Sequence, residues 1–235
     1  MSGRVAAFFD IDCTVLEINS GTKWIEHLRR TGKMGLVELM RALGWTVQYK
    51  FGWLDFGSMA RRVLRGYVGQ EVAPLEAEVE EWFRDEIAWA ITSQARERIA
   101  DHQAQGHVVA LLTSATRFLS RPVARAVAVE HILCTEVEEE GGRFTGEVIE
   151  PLCYGPGKVA KAERFAADHG IDLDASFFYT DSVSDLPMLE RVGEPRVVNP
   201  DPRLRRRAAE VGWSVAQWTA PRGEDDAAAS GGGAS

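Results

Sequence analysis

The sequence predicts an α/β protein: a doubly wound parallel sheet with a helical segment inserted after its first strand. Three observations carry this. Short apolar runs end abruptly in acids or hydroxyl residues, helix-length amphipathic segments separate those runs, and one long stretch, 17–91, shows helical periodicity without a strand-like run. A short apolar run bounded by polar residues suits a strand buried on both faces. Strands alternating with helices are the signature of a parallel sheet.

Taken in order, Val5 to Phe9 is the first strand, and it meets Asp10 at once. Val108 to Leu112 repeats the pattern and ends in Thr113-Ser114. Ser176 to Thr180 does so again and ends in Asp181, and Arg196 to Val198 is a shorter fourth candidate. Between them Ser93–Gln105, Pro122–Val129, Lys158–His169 and Pro202–Val211 read as helices. The insert reads as Lys23–Arg30, Gly35–Tyr49, Phe56–Tyr67 behind an Asp55 N-cap, and Pro74–Trp89. Two short runs about Gly141-Gly142, within Glu136–Glu150, suit a β-hairpin. The expected organisation is an α/β core of 1–16 and 92–220, a helical cap of 17–91, and a disordered tail of 221–235 rich in Ala, Gly and Ser.

Composition narrows the class of partner. The chain has 235 residues, 45% hydrophobic and 26% charged, with a formal net charge of −8. An acidic surface argues against nucleic acid or an anionic membrane as the main partner, since both need a basic footprint. No apolar run approaches the ~20 residues of a membrane helix, and the N-terminal run meets acid too early for a signal sequence. Cys13, Cys134 and Cys153 include no CxxC pair, so neither a disulfide framework nor a zinc site is expected. The expectation is a reduced, cytoplasmic protein; its oligomeric state is not legible.

In open α/β sheets, ligands sit beyond the carboxyl ends of the strands. Here three strands deliver Asp10/Asp12, Thr113/Ser114 and Asp181/Asp185 to that edge. Residues two apart on a strand face one side, so, unless the chain turns, the Asp10 and Asp12 carboxylates crowd together. One must protonate or both must meet a cation. Such a pair offers a nucleophile and a general acid–base, and it equally serves a solvated, capping loop. Asp181 suits a hard divalent ion, which takes one or two carboxylates and leaves room for water and phosphate. Asp185 then orients either Asp181 or Lys158; alone, the cluster reads as a helix cap. A hydroxyl and free backbone N–H groups at Thr113-Ser114 suit a phosphoryl oxygen, or an ordinary turn. Lys158, at the start of a helix, opposes the helix dipole, so its position needs a reason. Gly155-Pro156-Gly157-Lys158 is not a Walker A loop, because Leu152 and Val159 replace its first glycine and its hydroxyl residue.

The ordered set Asp-x-Asp-x-Thr, strand–Thr, Lys, Asp-x-x-x-Asp resembles the haloacid dehalogenase superfamily, from about Val5 to Val215. GHVVALLTSATRFLSRPVA, RFTGEV and YTDSVSDLPML look like its subclass IB, the branch of phosphoserine phosphatase. The resemblance implies a Rossmann-like core with a helical cap, and a magnesium-dependent phosphatase acting on a small-molecule phosphomonoester. It casts Asp10 as nucleophile, forming an aspartyl-phosphate, and Asp12 as general acid and later base. Thr14 steadies the loop and Asp12. Thr113, with the Ser114 backbone beside it, binds phosphate, a one-residue slip favouring Ser114. Lys158 neutralises the phosphoryl group and Asp10. Mg²⁺ is held by Asp181, Asp10 and the Asp12 carbonyl, with Asp185 in support. The same parts also serve phosphotransferases and mutases, and a fold that has lost turnover serves as a binding module.

Two positions depart from phosphoserine phosphatases. Asn19 stands where those enzymes place a glutamate for the substrate ammonium, and Ser184 where they place an asparagine; Arg61 lies where an arginine meets the substrate carboxylate. Phosphorylated amino acids or alcohols, histidinol phosphate-like compounds, sugar phosphates and lipid phosphates stay open. Trp24, Trp45, Trp53, Trp82 and Trp89, with Tyr49, Phe51 and Phe56, read as a bundle core, and Cys13 as a small buried residue.

Overall fold

The computed structural model describes residues 3–35 and 55–221. The expected helix Gly35–Tyr49, the tail beyond 221, and Trp45, Tyr49, Phe51 and Trp53 lie outside the described residues. The sheet strands are β1 (Ala6–Phe9), β2 (Val108–Thr116), β3 (His131–Glu140), β4 (Arg143–Ile149), β5 (Phe177–Thr180), β6 (Glu194–Val198) and β7 (Val215–Ala216). They lie in the order β4-β3-β2-β1-β5-β6-β7, every neighbouring pair parallel except the β3–β4 hairpin. β1 is central, flanked by β2 on one side and β5 on the other. The strand order reverses there, which opens a crevice beyond the carboxyl ends.

The alternation of side chains divides the core into two layers. Ala7, Phe9, Val109, Leu111 and Tyr179 face one side, against Ala95 and Ile99 of α4 (Ser93–Ala104) and Phe118 and Val123 of α5 (Arg117–Ala126). Ala6, Phe8, Ala110, Leu112 and Phe178 face the other. There they meet Ala162 and Phe165 of α6 (Pro156–His169), Met188 of α7 (Leu186–Arg191) and Leu204 of α8 (Pro202–Val211). Every residue of β1 has zero exposure, which is why its sequence is apolar throughout.

Between β1 and α4 the described residues are helical: α1 (Ser20–Arg30), α2 (Phe56–Leu64) and α3 (Val72–Trp82). Asp55 caps α2 by accepting from Ser58 N at 3.0 Å. The segment leaves and re-enters the α/β layer side by side. Leu16 and Ile91 form an antiparallel bridge, and Glu17 N donates to Ala90 O at 2.8 Å. Its far end rests on the hairpin: Gly69 N donates to Phe144 O, Phe144 N to Gln70 O and Val72 N to Gly142 O. An Arg143–Glu71 ion pair lies on that seam, and Arg121–Glu76 and Arg125–Glu80 pairs tie α3 to α5.

Several boundaries differ from expectation. β2 continues through Thr113 and Ser114 to Thr116, with an irregularity after Leu112, because nothing in Thr-Ser-Ala-Thr breaks a strand. α5 starts at Arg117, so Pro122 is internal rather than initiating. Pro74–Trp89 is α3 followed by two distorted turns, Phe83–Ile87 and Ala88–Ala90. Trp24 and Trp82 are core, ring centroids 5.1 Å apart, but Trp89 is 58% exposed, its Nε1 donating to Glu86 O.

Candidate active site

The chain turns sharply as β1 ends. Asp10 N continues the ladder by donating to Tyr179 O at 2.9 Å. Residues Ile11–Val15 then form one wide turn in which Asp12 is extended and Cys13 takes φ of +55°. Strand alternation therefore does not govern Asp10 and Asp12. The Asp10 carboxylate accepts from Ile11 N at 2.8 Å, while Asp12 is drawn to the start of α1. There Asp12 Oδ1 accepts from Ser20 N at 2.7 Å, and Oδ2 from Asn19 Nδ2 at 3.3 Å. A carboxylate at a helix N-terminus meets free N–H groups and the positive end of the dipole.

Lys158 finds its reason here. Its Nζ is 2.6 Å from Asp185 Oδ2 and 3.3 Å from Asp10 Oδ2, and all three side chains are at most 9% exposed. Two glycines set the approach. Gly155 caps α6 at φ of +51°, and at Gly157 a Cβ would stand 1.8 Å from Leu152 O. Only glycine lets the first turn of α6 pass so near the backbone. Asp185 has a second partner, Thr180, whose Oγ1 donates to the same Oδ2 at 2.6 Å. Sequence reasoning missed Thr180; its signal was a polar residue closing a buried strand one position before Asp181.

Electrostatics follow from burial. Asp10 is pushed up to about 7 by burial; Lys158 opposes this, while Asp185 and Asp12 add to it. Burial also pushes Asp181 up to about 8, with Asp10 and Asp185 adding and Lys158 opposing. Asp12 is raised by burial against the pull of Ser20. Burial works against the Lys158 charge, but Asp10 and Asp185 outweigh it and raise its pKa above the ordinary lysine value. Cys13, half-buried rather than buried, is pushed up to about 12 by burial and by Asp181, Asp12 and Asp10.

The remaining candidates sort less evenly. Thr113 is buried, with its Oγ1 accepting from Ala115 N at 3.2 Å; Ser114 is half-buried, and its carbonyl accepts from Thr135 Oγ1. Thr14 is buried, yet among the described residues its hydroxyl has no hydrogen-bond partner; its carbonyl accepts from Thr92 Oγ1 at 3.3 Å. Asn19 caps α1, its Oδ1 accepting from Thr22 N and Thr22 Oγ1, both at 2.9 Å. Arg61 is paired with Glu150, just after β4.

Asp10 and Asp185 thus share one ammonium, with Asp12 and Asp181 on the adjoining turns, and burial raises the pKa of both Asp10 and Asp181. That donor set is all oxygen and fits a hard divalent cation. Among the described residues no three His, Cys, Asp or Glu side chains close on one point as a metal cage.

Known proteins agree with this reading of the fold. The sequence pattern of haloacid dehalogenase-like hydrolases matches residues 7–190. Probable phosphatase Rv3661 of Mycobacterium tuberculosis is 31% identical over 93% of this chain and 77% of its own. The phosphoserine phosphatase SerB1 of the same organism is 32% identical over 89% and 70%, and the histidinol-phosphatase of Neisseria meningitidis is 29% identical over 89% and 96%. A protein of unknown function from Bordetella pertussis has a solved structure with a TM-score of 0.85 and 34% identity, covering 92% of this chain and 99% of that one. With the strand-end acids, the buried lysine and a family pattern spanning most of the sequence, the chain belongs to the haloacid dehalogenase-like hydrolases.

Proposed function

We propose that this enzyme is a magnesium-dependent phosphatase that hydrolyses a small phosphomonoester through an aspartyl-phosphate on Asp10. One observation carries the reading: a buried lysine lies between the strand-end carboxylate Asp10 and its partner Asp185. The phosphatase relatives support it. Phosphoryl transfer is mainly positioning and charge neutralisation, and a fixed ammonium beside a buried carboxylate supplies both.

In the first step an Asp10 oxygen bonds to phosphorus, and the bond from phosphorus to the leaving oxygen breaks. Asp12 gives that oxygen its proton, which its raised pKa lets it hold. In the second step Asp12 takes a proton from water as the water oxygen bonds to phosphorus, and the Asp10–phosphorus bond breaks. Lys158 offsets the charge on Asp10 and the phosphoryl oxygens, Asp185 and Thr180 fix Lys158, and Thr113 or the Ser114 backbone holds a phosphoryl oxygen. Asp10, Asp181 and the Asp12 carbonyl would hold Mg²⁺, which neutralises the phosphoryl group when bound.

The described helices between β1 and α4 act as a cap and set the substrate. Asn19 is a neutral amide already engaged by Asp12 and Thr22, and Arg61 is engaged by Glu150. A neutral amide at Asn19 cannot supply the negative charge that a substrate ammonium calls for, which favours substrates other than phosphoserine. The test is phosphate release from a panel of phosphomonoesters with water as the only acceptor. Activity is expected with Mg²⁺, to be silenced by chelation and abolished in a folded Asp10→Asn variant. Wild-type turnover in Asp10→Asn, or full activity in excess chelator, refutes the reading.

A further inference from the structure

The turn bearing Asp10 and Asp12 and the turn bearing Asp181 are about 170 residues apart in sequence, yet one short loop touches both. That loop joins β6 to α8 and runs Asn199-Pro200-Asp201. Asn199 stands at φ of +45°, a left-handed conformation that asparagine tolerates better than most residues. Its Nδ2 donates to Cys13 O at 3.1 Å and to Trp218 O at 3.0 Å, and its Oδ1 accepts from Trp218 N at 2.9 Å. Its backbone N donates to Ala216 O. All the side chain's polar atoms are therefore engaged, one of them at Cys13, the middle residue of the Ile11–Val15 turn. Cys13 is the left-handed residue of that turn, and anchoring its carbonyl fixes the Cys13–Thr14 peptide, one residue beyond Asp12.

Asp201 performs the same task on the other side. Its backbone N donates to Asp181 O at 2.8 Å, and its Oδ2 accepts from Val183 N at 2.7 Å, so it grips the Asp181 turn from both ends. Oδ1 meanwhile caps α8, accepting from Arg203 N and Leu204 N. The loop is thus attached to α8, to the β7 segment and to both acidic turns.

We propose that the Asn199–Asp201 loop is a positioning element that holds the Asp10–Asp12 turn and the Asp181 turn in register. Neither residue touches substrate in this role. Each acts on backbone that carries the reacting acids, and where a loop holds two halves of a site, small misplacements are expensive. The proposal rests on the roles given to Asp10, Asp12 and Asp181 above.

The decisive variants keep the fold's local demands and remove only the grip. Asn199→Gly tolerates the left-handed backbone but makes no side-chain bonds, and Asn199→Asp keeps the bond from Trp218 N while losing both donations. Asp201→Asn keeps the α8 cap through Oδ1 and loses the acceptor for Val183 N. Folding is checked by circular dichroism and thermal melting. Mg²⁺ alone is then titrated calorimetrically, and kcat and KM are measured on the best substrate of the panel. In folded variants, Mg²⁺ affinity is expected to fall about 10-fold or more. A drop in kcat of about 10- to 100-fold should accompany it, with KM changing much less. If Asn199→Gly does not fold, Asn199→Asp and Asp201→Asn decide by the same losses. Wild-type Mg²⁺ affinity and kcat in the folded variants overturn the proposal. Turnover retained in Asp10→Asn strikes instead at the nucleophile, and so the two failures are told apart.

Discussion

Replacing Lys158 with methionine separates the two tasks given to this residue. The ammonium is 2.6 Å from Asp185 and 3.3 Å from Asp10, with all three groups withdrawn from water. Methionine fills a similar volume, so the loss is electrostatic rather than a cavity. Removing one member of a buried ion pair leaves an uncompensated charge and costs about 3–5 kcal/mol. Thr180 still donates to Asp185, which favours the lower half of that range. For a chain of this size each kcal/mol moves Tm by about 2–4 °C, so Lys158→Met should melt roughly 6–16 °C lower. The pair's stabilisation is present throughout neutral pH, because the Lys158 pKa is raised in the fold and would be lost only as pH rises past it. Catalysis should suffer separately. Removing one fixed donor from a transition-state site costs about 100- to 1,000-fold in kcat. Adding Asp185→Asn removes the stranded charge, so the double variant should regain much of the lost Tm and none of the lost kcat. Thermal melts and steady-state kinetics of the three variants read both. A Lys158→Met protein that melts within 2 °C of wild type and turns over at a third of its rate or better refutes the reasoning.

Two further outcomes follow from particular contacts. His102 is 4% exposed, its ring nitrogens facing His107 and the Tyr179 hydroxyl. Burial and His107, with Arg98 and Arg196 adding and Asp101 opposing, lower its pKa to about 4. A depressed value means full stability above the ordinary histidine pKa and a loss as pH falls through 4, worth at most about 3 kcal/mol. Wild-type Tm should therefore fall more steeply from pH 6.5 to 4 than that of His102→Gln; parallel curves contradict this. Gly157→Ala places a methyl group 1.8 Å from Leu152 O. Overpacking of about 1–3 kcal/mol should outweigh the helix propensity gain of under about 1 kcal/mol. Melting should thus drop and, because α6 carries Lys158, kcat should fall with it. An equal or higher Tm would show that the loop yields freely.

What the sequence made legible was the pattern that burial writes locally. A fully buried strand must be apolar along its whole length, so β1, β2 and β5 stood out, and the polar residues ending or entering them marked the edge. Lys158 was legible as an anomaly, a cation at a helix start, but its partner was not. Asp185 could have served Asp181 or Lys158, and only the 2.6 Å contact between the start of α6 and the turn after β5 decides for Lys158. The turn after β1 was not legible, because alternation holds only while the strand lasts and Cys13 carries no mark of its left-handed backbone. The extension of β2 through Thr113 and Ser114 was hidden because those residues suit strands and turns alike. Asn199 and Asp201 were invisible for another reason. Their bonds run from side chain to backbone across as many as 186 residues, and Asn-Pro-Asp-Pro reads locally as nothing more than a turn.

The proposed chemistry requires a covalent bond between Asp10 and phosphorus. Acid quenching during turnover, followed by borohydride reduction and peptide mapping, converts a phosphorylated aspartate to homoserine. The expected result is homoserine at position 10, seen only with substrate and Mg²⁺ present and missing from Asp10→Asn. Homoserine at position 12 or 181, or none at any aspartate while phosphate is released, would contradict it.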